Sequence, residues 1–98
     1  MLRITIEEKG DFTRFRLEGK LMSYWVKELE RCWICARNNG PETRFEVDLS
    51  SVSFVDEKGK ALLERMVSEG AELVADGPMM RSVAHSVVEH ARIGHVNR

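Results

Sequence analysis

One segment near the middle of the chain constrains the fold more than any other. It runs from Val47 to Gly59 and reads V-D-L-S-S-V-S-F-V-D-E-K-G. Its first residues continue an alternation of Phe45, Val47 and Leu49 with acidic residues, which is typical of a half-buried strand. Its last residue begins an apolar pattern with helical spacing, formed by Gly59, Leu62, Leu63 and Met66. The segment therefore predicts a strand that is followed closely by a helix.

The middle of this segment predicts a turn. Ser50, Ser51 and Ser53 are turn-forming residues, because their hydroxyls bond to nearby backbone groups. After the turn, Phe54 and Val55 are expected to return the chain to the interior. The sequence offers no histidine placed to activate these serines, so we interpret them as turn residues and not as nucleophiles.

Asp56 precedes the helical pattern and is predicted to be its N-cap. A carboxylate at this position accepts hydrogen bonds from the free amides of the first turn and interacts favourably with the helix dipole. The end of a strand, a tight turn and the exposed positive end of a helix thus come together in one place. We expect the function of the domain to reside there.

Two more strands precede this segment. Apolar residues alternate with polar ones over residues 2–7 and again over 13–18, on either side of the turn signal Lys9-Gly10-Asp11, which predicts a hairpin. In all three strands one face is apolar and the other is charged. A sheet covered on both sides would show continuous apolar runs instead. We therefore expect helices on one face only.

Three amphipathic patterns predict helices. The first helix starts after a cap at Ser23 and ends at Asn38-Asn39-Gly40-Pro41. Its apolar stripe contains Met22, Trp25, Val26, Leu29, Cys32, Trp33 and Ala36. The second helix extends from Glu57 to about Glu69. The third has Pro78 at its first position, where proline is favoured. Its apolar side contains Met80, Val83, Ala84, Val87, Val88 and Ala91.

A short fourth strand over residues 71–75 completes the order β-β-α-β-α-β-α. Because crossovers between parallel strands are right-handed, the helices share one face only if the strand order advances in one direction. The predicted fold class is α/β, a two-layer sandwich with a small mixed four-stranded sheet and three helices on one face. The domain is expected to cover residues 1–92, with a frayed C-terminal tail at residues 93–98.

Size and charge exclude several classes of function. The 98 residues provide one core, and 15 basic residues against 16 acidic ones give a net charge of −1. This balance gives no electrostatic reason to expect nucleic acid or an anionic membrane as a partner. The apolar runs are too short to span a bilayer, and the first residues do not form a secretory pattern. We expect a cytoplasmic protein with no integral membrane segment.

Thiol and imidazole groups are not arranged for metal or redox chemistry. Cys32 and Cys35 lie about two turns inside the first helix, where a disulfide at this spacing would be strained and the helix dipole does not activate a thiol. His85, His90 and His95 recur every five residues and so point in different directions around a helix. We predict reduced thiols, no metal site, no cofactor and no catalytic residues.

Tyr24 and Ile34 point away from the apolar stripe of the first helix. Such residues form either a small contact patch or part of the scattered apolar surface that most soluble proteins have. The sequence leaves both interpretations open.

Three stretches of the chain carry a family resemblance. They are V-D-L-S-S-V-S-F-V-D-E-K-G-K-A-L-L from Val47, L-E-G-K-L from Leu17, and G-A-E-L-V-A-D-G-P from Gly70. In these stretches the chain resembles STAS domains, the module shared by bacterial anti-sigma-factor antagonists and the cytoplasmic tails of sulfate transporters. The resemblance extends from Leu2 to about Val88, and it implies the same fold and a surface that binds a protein.

The same resemblance bears on regulation. In the antagonists the segment after the central strand reads Asp-Ser-Ser-Gly or close to it, and a partner kinase that is also the anti-sigma factor phosphorylates the second serine. Here Asp56 and Gly59 match the aspartate and the glycine, whereas Glu57 and Lys58 occupy the serine positions. The position equivalent to the phosphorylated serine is Lys58, which cannot take part in a serine switch.

These observations lead to one main hypothesis and one alternative. The main hypothesis is a non-catalytic regulatory module that binds a protein, either an anti-sigma kinase-like partner or a scaffold. Its expected binding residues are Ser53, Asp56, Glu57, Lys58, Gly59 and Lys60. The alternative is a small-ligand, anion or lipid site at the same helix N-terminus, serving a transport system. An enzyme is disfavoured because adjacent helix residues diverge by about 100°, and a weak homodimer is a further expectation.

Overall fold

The computed structural model describes residues 1–40 and 43–96, with the side chains described as far as residue 93. Seven elements follow one another in the predicted order: β1 (Leu2–Glu8), β2 (Phe12–Leu21), α1 (Tyr24–Asn39), β3 (Arg44–Val55), α2 (Glu57–Ser68), β4 (Glu72–Val74) and α3 (Pro78–Val96). Within these residues, no helix is both long enough and apolar enough to cross a membrane.

The sheet order is β1-β2-β3-β4. The first two strands form the predicted antiparallel hairpin, whereas β2 with β3 and β3 with β4 are parallel pairs. The strand order therefore advances in one direction, so right-handed crossovers bring their helices to the same face. The predicted two-layer α/β sandwich with a mixed four-stranded sheet is confirmed.

The core lies between this face of the sheet and the helices. Two completely buried residues, Phe15 on β2 and Val47 on β3, are register partners in the sheet. From α1, Leu29 is also completely buried and Trp33 exposes only 1% of its surface. Trp25 is only half-buried and packs against the border of the same cluster. The opposite face of the sheet carries ion pairs, and none of the described helices packs on it, as the alternation of apolar and charged residues predicts.

The largest difference from the sequence prediction lies in β3. Residues 50–53 form no turn; the strand continues to Val55 and contains two β-bulges, one on each side of Ser51 and Val52. Each bulge inserts one extra residue and shifts the alternation by one position. The buried residues of the strand are accordingly Val47, Leu49, Val52 and Val55. Phe54 was expected inside, but it is 47% exposed.

Two helix ends also differ from expectation. Ser23 is at the N-cap position of α1, but its side chain makes no capping hydrogen bond and its φ is +54°. α3 begins at Pro78 as predicted and its backbone remains helical to Val96, four residues beyond the predicted domain end. Residues 97 and 98 of the predicted tail and Pro41 of the predicted helix stop lie outside the described residues.

The position of Trp33 gives a test of the core. We expect Trp33→Ala to lower the free energy of unfolding by about 3–5 kcal/mol, because it removes a fully buried indole between α1 and the sheet. The measurement is the midpoint and slope of urea unfolding. Tyr24→Ala, which removes a ring that is 61% exposed on the same helix, should change stability by less than about 1 kcal/mol. Equal effects of the two substitutions would contradict this packing.

Candidate functional site

The candidate site lies at one edge of the sheet. The carboxyl ends of parallel β2, β3 and β4 meet at this edge, because adjacent parallel strands run in the same direction. The chain leaves β3 at Val55 and enters α2 at Glu57, with Asp56 between them. α1 starts at the same edge, directly after β2. Crevices at the carboxyl ends of parallel strands are a common location for binding sites in α/β folds.

The Asp56 carboxylate joins the starts of two helices. Its Oδ1 accepts a hydrogen bond from the amide of Gly59 at 2.7 Å, which is the predicted N-cap of α2. Its Oδ2 accepts a second bond, at 3.0 Å, from the amide of Ser23 at the start of α1. The Asp56 amide in turn donates to the carbonyl of Leu21 at 3.1 Å. This single residue thus connects β2, α1 and α2.

These bonds stabilise the charged form of the carboxyl group. The pKa of Asp56 is lowered mainly by the hydrogen bond from the Ser23 amide, and also by the bond from the Gly59 amide and the nearby charge of Lys58. Partial burial of the carboxylate acts in the opposite direction. Asp56 is therefore a carboxylate at neutral pH, with both oxygens engaged in the fold. It is not available as a general acid, and its negative charge occupies the place where an anion would approach the amides of α2.

Gly59 lies where α2 packs closely against β2 and β3. A Cβ at this position would lie 2.9 Å from the Leu21 carbonyl oxygen and 2.9 Å from Cγ1 of Val55. Gly59 is also buried, so it has a packing role beneath the site. Gly59 thus lies on the side of α2 that faces the sheet. The predicted contact of Gly59 with a partner stays a prediction.

The remaining predicted site residues are on the outside. Glu57 has 94% of its side chain exposed and lies 3.8 Å from the Lys60 ammonium, one turn further along α2. Lys58 is exposed on the first turn, and it forms no ion pair with any residue in 1–40 or 43–96. Ser53 is the extra residue of the second bulge, and its hydroxyl donates to the Gly19 carbonyl at 3.3 Å. The structure thus presents Lys58 as a free cation next to a loosely paired Glu57.

Three further residues lie near this edge, and the sequence did not indicate that they belong to the site. Ser23 supplies the backbone donor for Asp56, Tyr24 exposes 61% of its surface at the start of α1, and Phe54 exposes 47% before the end of β3. Phe54 points outward because residues 50–53 continue the strand instead of forming the predicted turn. The position of Ser23 depends on a long-range hydrogen bond, for which the local sequence has no signal. The pairing of Tyr24 with Ile34 in one contact patch is not supported, because Ile34 packs against the core and lies ten residues away.

Both cysteines lie elsewhere. Free Cys32 and Cys35 line a cleft of about 630 Å³ between β1, the start of β2, the second half of α1 and Thr43 just before β3. Burial raises the pKa of the Cys32 thiol, so this group is protonated at neutral pH. The Asn39 amide points at the Cys35 sulfur, with Nδ2 and Sγ 3.7 Å apart. Within residues 1–40 and 43–96, no three His, Cys, Asp or Glu side chains are close enough to hold a metal ion.

Comparison with known proteins relates this arrangement to other structures. The sequence matches no protein-family model, and no curated protein matches it. Among solved structures, an anti-sigma factor antagonist from Mycobacterium paratuberculosis superposes with a TM-score of 0.76 and 21% identity over 87% of this chain and 76% of its own.

Two further structures give the same result. The unphosphorylated form of the anti-sigma factor antagonist SpoIIAA superposes with a TM-score of 0.68 and 24% identity over 83% of this chain and 80% of its own. An uncharacterized DUF3478 protein with a SpoIIAA-like fold from Shewanella loihica superposes with a TM-score of 0.57 and 16% identity, over 81% and 71%. The chain therefore has the STAS-like fold of the anti-sigma factor antagonists, as the sequence resemblance implied.

The lowered pKa of Asp56 predicts a pH-dependent contribution to stability. Because the unfolded chain takes up a proton near the ordinary pKa of 3.8 and the folded protein only below it, this contribution is complete above that pH. It is lost as the pH falls through the folded pKa. We expect wild type to be more stable than Asp56→Asn at pH 7, and the difference to shrink below about pH 4. Urea unfolding of both proteins across pH 2–7 measures this difference in stability. A difference that does not change with pH would contradict the lowered pKa of Asp56.

The close approach at Gly59 gives a second prediction. Gly59→Ala should lower the free energy of unfolding by about 1–3 kcal/mol, because its methyl group would collide with the Leu21 carbonyl, which is already bonded to the Asp56 amide. Gly70→Ala is less suitable as a control because its φ is +106°. Ser68→Ala on the exposed side of α2 is the better one. If Gly59→Ala were as stable as Ser68→Ala, α2 would not be held against β2 in this way.

Proposed function

We propose that this domain is a non-catalytic regulatory module that binds a protein partner through the exposed start of α2, in the manner of an anti-sigma factor antagonist but without its phosphorylated serine. The partner would be an anti-sigma kinase-like protein or a scaffold. The partner would contact mainly Glu57, Lys58 and Lys60. Asp56 and Gly59 would hold this segment in place, and Ser53 would lie beside the contact.

The observation that carries this proposal is the rigid presentation of Lys58. Its backbone is fixed from both sides, since Asp56 caps the helix and Gly59 packs against Leu21, yet the Lys58 side chain itself is exposed. A side chain presented on a rigid element loses little backbone entropy when it binds. The exposed rings of Tyr24 and Phe54 near the same edge add the kind of surface that protein interfaces use.

The electrostatics of this segment support a constant state and not a switch. Phosphorylation of a serine at a helix start adds about two negative charges, whereas Lys58 contributes a positive charge that no kinase reverses. Together with Glu57 the pair is close to neutral, which resembles the unphosphorylated form of an antagonist. The domain would therefore be always competent to bind its partner.

The alternative of an anion or lipid headgroup at the same helix end receives no support from the geometry. Helix N-termini bind anions through free amides, but here the Asp56 carboxylate already takes up the Gly59 and Ser23 amides. A second negative charge would be repelled. A thermal-shift screen with phosphate, nucleotides and lipid headgroups separates the two functions, because saturable stabilisation would favour the ligand-binding alternative.

The test of the proposed function is charge reversal at Lys58. A tagged wild-type domain is used to capture partners from its native cell extract, and the recovered partner is then produced and its affinity measured by calorimetry. We expect Lys58→Glu to weaken that affinity at least tenfold, while stability stays within about 0.5 kcal/mol because the position is exposed. Treatment of wild type with a STAS kinase should leave affinity unchanged, whereas Lys58→Ser should gain a phosphate acceptor.

The control is Arg44→Glu, which reverses an exposed charge at the opposite end of β3, where Arg44 lies 3.5 Å from Glu72. It should leave partner affinity unchanged. If Lys58→Glu and Arg44→Glu bind equally well, the partner does not dock at α2. If wild type acquires phosphate at Ser50, Ser51 or Ser53 and then releases its partner, the domain has a switch at another position.

A further inference from the structure

The sheet has an open edge at β1. This strand pairs only with β2, and within residues 1–40 and 43–96 no other strand pairs with its second side. At seven residues it is a long edge strand, and it contains neither proline nor a bulge in its pairing with β2. Exposed edges of this kind are templates for pairing with another strand.

The alternating hydrogen bonds identify which backbone groups face outward. The Lys9 amide donates to the Phe12 carbonyl at 2.8 Å, and the Lys20 amide donates to the Met1 carbonyl at 3.0 Å. Odd-numbered residues of β1 therefore direct their N–H and C=O groups toward β2, because such pairs alternate in an antiparallel ladder. The backbone groups that face the open edge belong to Leu2, Ile4, Ile6 and Glu8.

We propose that a second copy of this chain pairs with this edge, β1 against β1 in antiparallel orientation, with the twofold axis at Thr5. This register places Arg3 opposite Glu7 and Ile4 opposite Ile6 in each direction, and it joins the outward-facing backbone groups in hydrogen-bonded pairs. The two four-stranded sheets then form one continuous sheet with all helices on the same face.

Charge complementarity supports this occupant and this register. Arg3 is exposed and forms no ion pair with a described residue. Glu7 Oε2 bonds to Arg16 at 2.8 Å, but Glu7 Oε1 is buried without a hydrogen-bond partner, and its nearest cations, Arg14 and Lys9, are 3.9 and 4.0 Å away. An unsatisfied buried acceptor is costly. Arg3 of the second copy would supply the missing donor in both halves of the dimer.

The apolar side of the strand selects the same arrangement. Ile6 is on the helix-covered face but is 46% exposed, at the wall of the cleft between β1 and α1. Ile4 of the second copy would lie beside it and extend the core across the twofold axis. A register shifted by two residues would bring Arg3 opposite either Lys9, which repels it, or Thr5, which carries no charge. The antiparallel axis also leaves the two Asp56 sites at opposite ends of the dimer, free for partners.

The test is a charge-reversal cycle followed by sedimentation velocity over a concentration series. Wild type should show a monomer–dimer equilibrium, and Arg3→Glu and Glu7→Arg should each raise its dissociation constant at least tenfold, because each homodimer then contains two like-charge pairs. An equimolar mixture of the two variants should form dimers again, since both cross-strand pairs are then opposite in charge. Arg81→Glu, an exposed reversal on α3, should behave like wild type.

Two further measurements test the same pairing of β1 with β1. Glu7 has partners within its own chain, so if Glu7→Arg fails to fold, the comparison of Arg3→Glu with charge-preserving Arg3→Lys decides instead, and only Arg3→Lys should dimerise. Hydrogen exchange should show concentration-dependent protection of the Leu2, Ile4, Ile6 and Glu8 amides. A wild type that is monomeric up to roughly 1 mM, no recovery on mixing, or a dimer that leaves these four amides unprotected would each overturn the proposal.

Discussion

The arrangement of this domain depends on the two hydrogen bonds accepted by the Asp56 carboxylate. They link amides that are 36 positions apart along the chain, Gly59 at the start of α2 and Ser23 at the start of α1. The bond to Ser23 also holds the N-cap residue of α1, which has a φ of +54° and makes no side-chain capping hydrogen bond. Charged acceptors form the stronger class of hydrogen bond, so one carboxylate can hold two helix starts at the same edge of the sheet.

The two bulges of β3 bring Asp56 to that position. A regular strand after Leu49 would place Ser51 and Ser53 in the core and turn Val52 outward, because side chains alternate with a period of two. With the extra residue of the first bulge, Val52 is buried instead and the serines are exposed, and the second bulge returns Val55 to the buried face. The strand therefore reaches the edge of the sheet with an apolar anchor at Val55 directly before the carboxylate. Bulges beside functional sites commonly redirect side chains in this way.

The parts of this structure that the sequence predicts are those with local periodicity. The hairpin, the stripe of α1, the N-cap of α2 and the proline at the start of α3 all follow from spacing within a few residues. The bulges do not, because they depend on the register between β3 and β2, and three serines in one stretch resemble a turn when read without that partner strand. For the same reason Phe54 was assigned to the wrong side. The role of Ser23 was missed since its partner, Asp56, is 33 residues away.

Lys58 runs against the local electrostatic preference of a helix start. A cation in the first turn of a helix opposes the macrodipole by about 0.3–1 kcal/mol, whereas an acidic or phosphorylated residue would be favourable there. Asp56 offsets this cost, since its carboxylate is held beside the same amides and the Lys58 charge helps to lower its pKa. Nothing in the packing requires a lysine at this position, because the side chain is exposed and forms no ion pair with a described residue. Local violations of this kind are expected where a residue serves recognition and not folding, and this supports placing the binding surface at the start of α2.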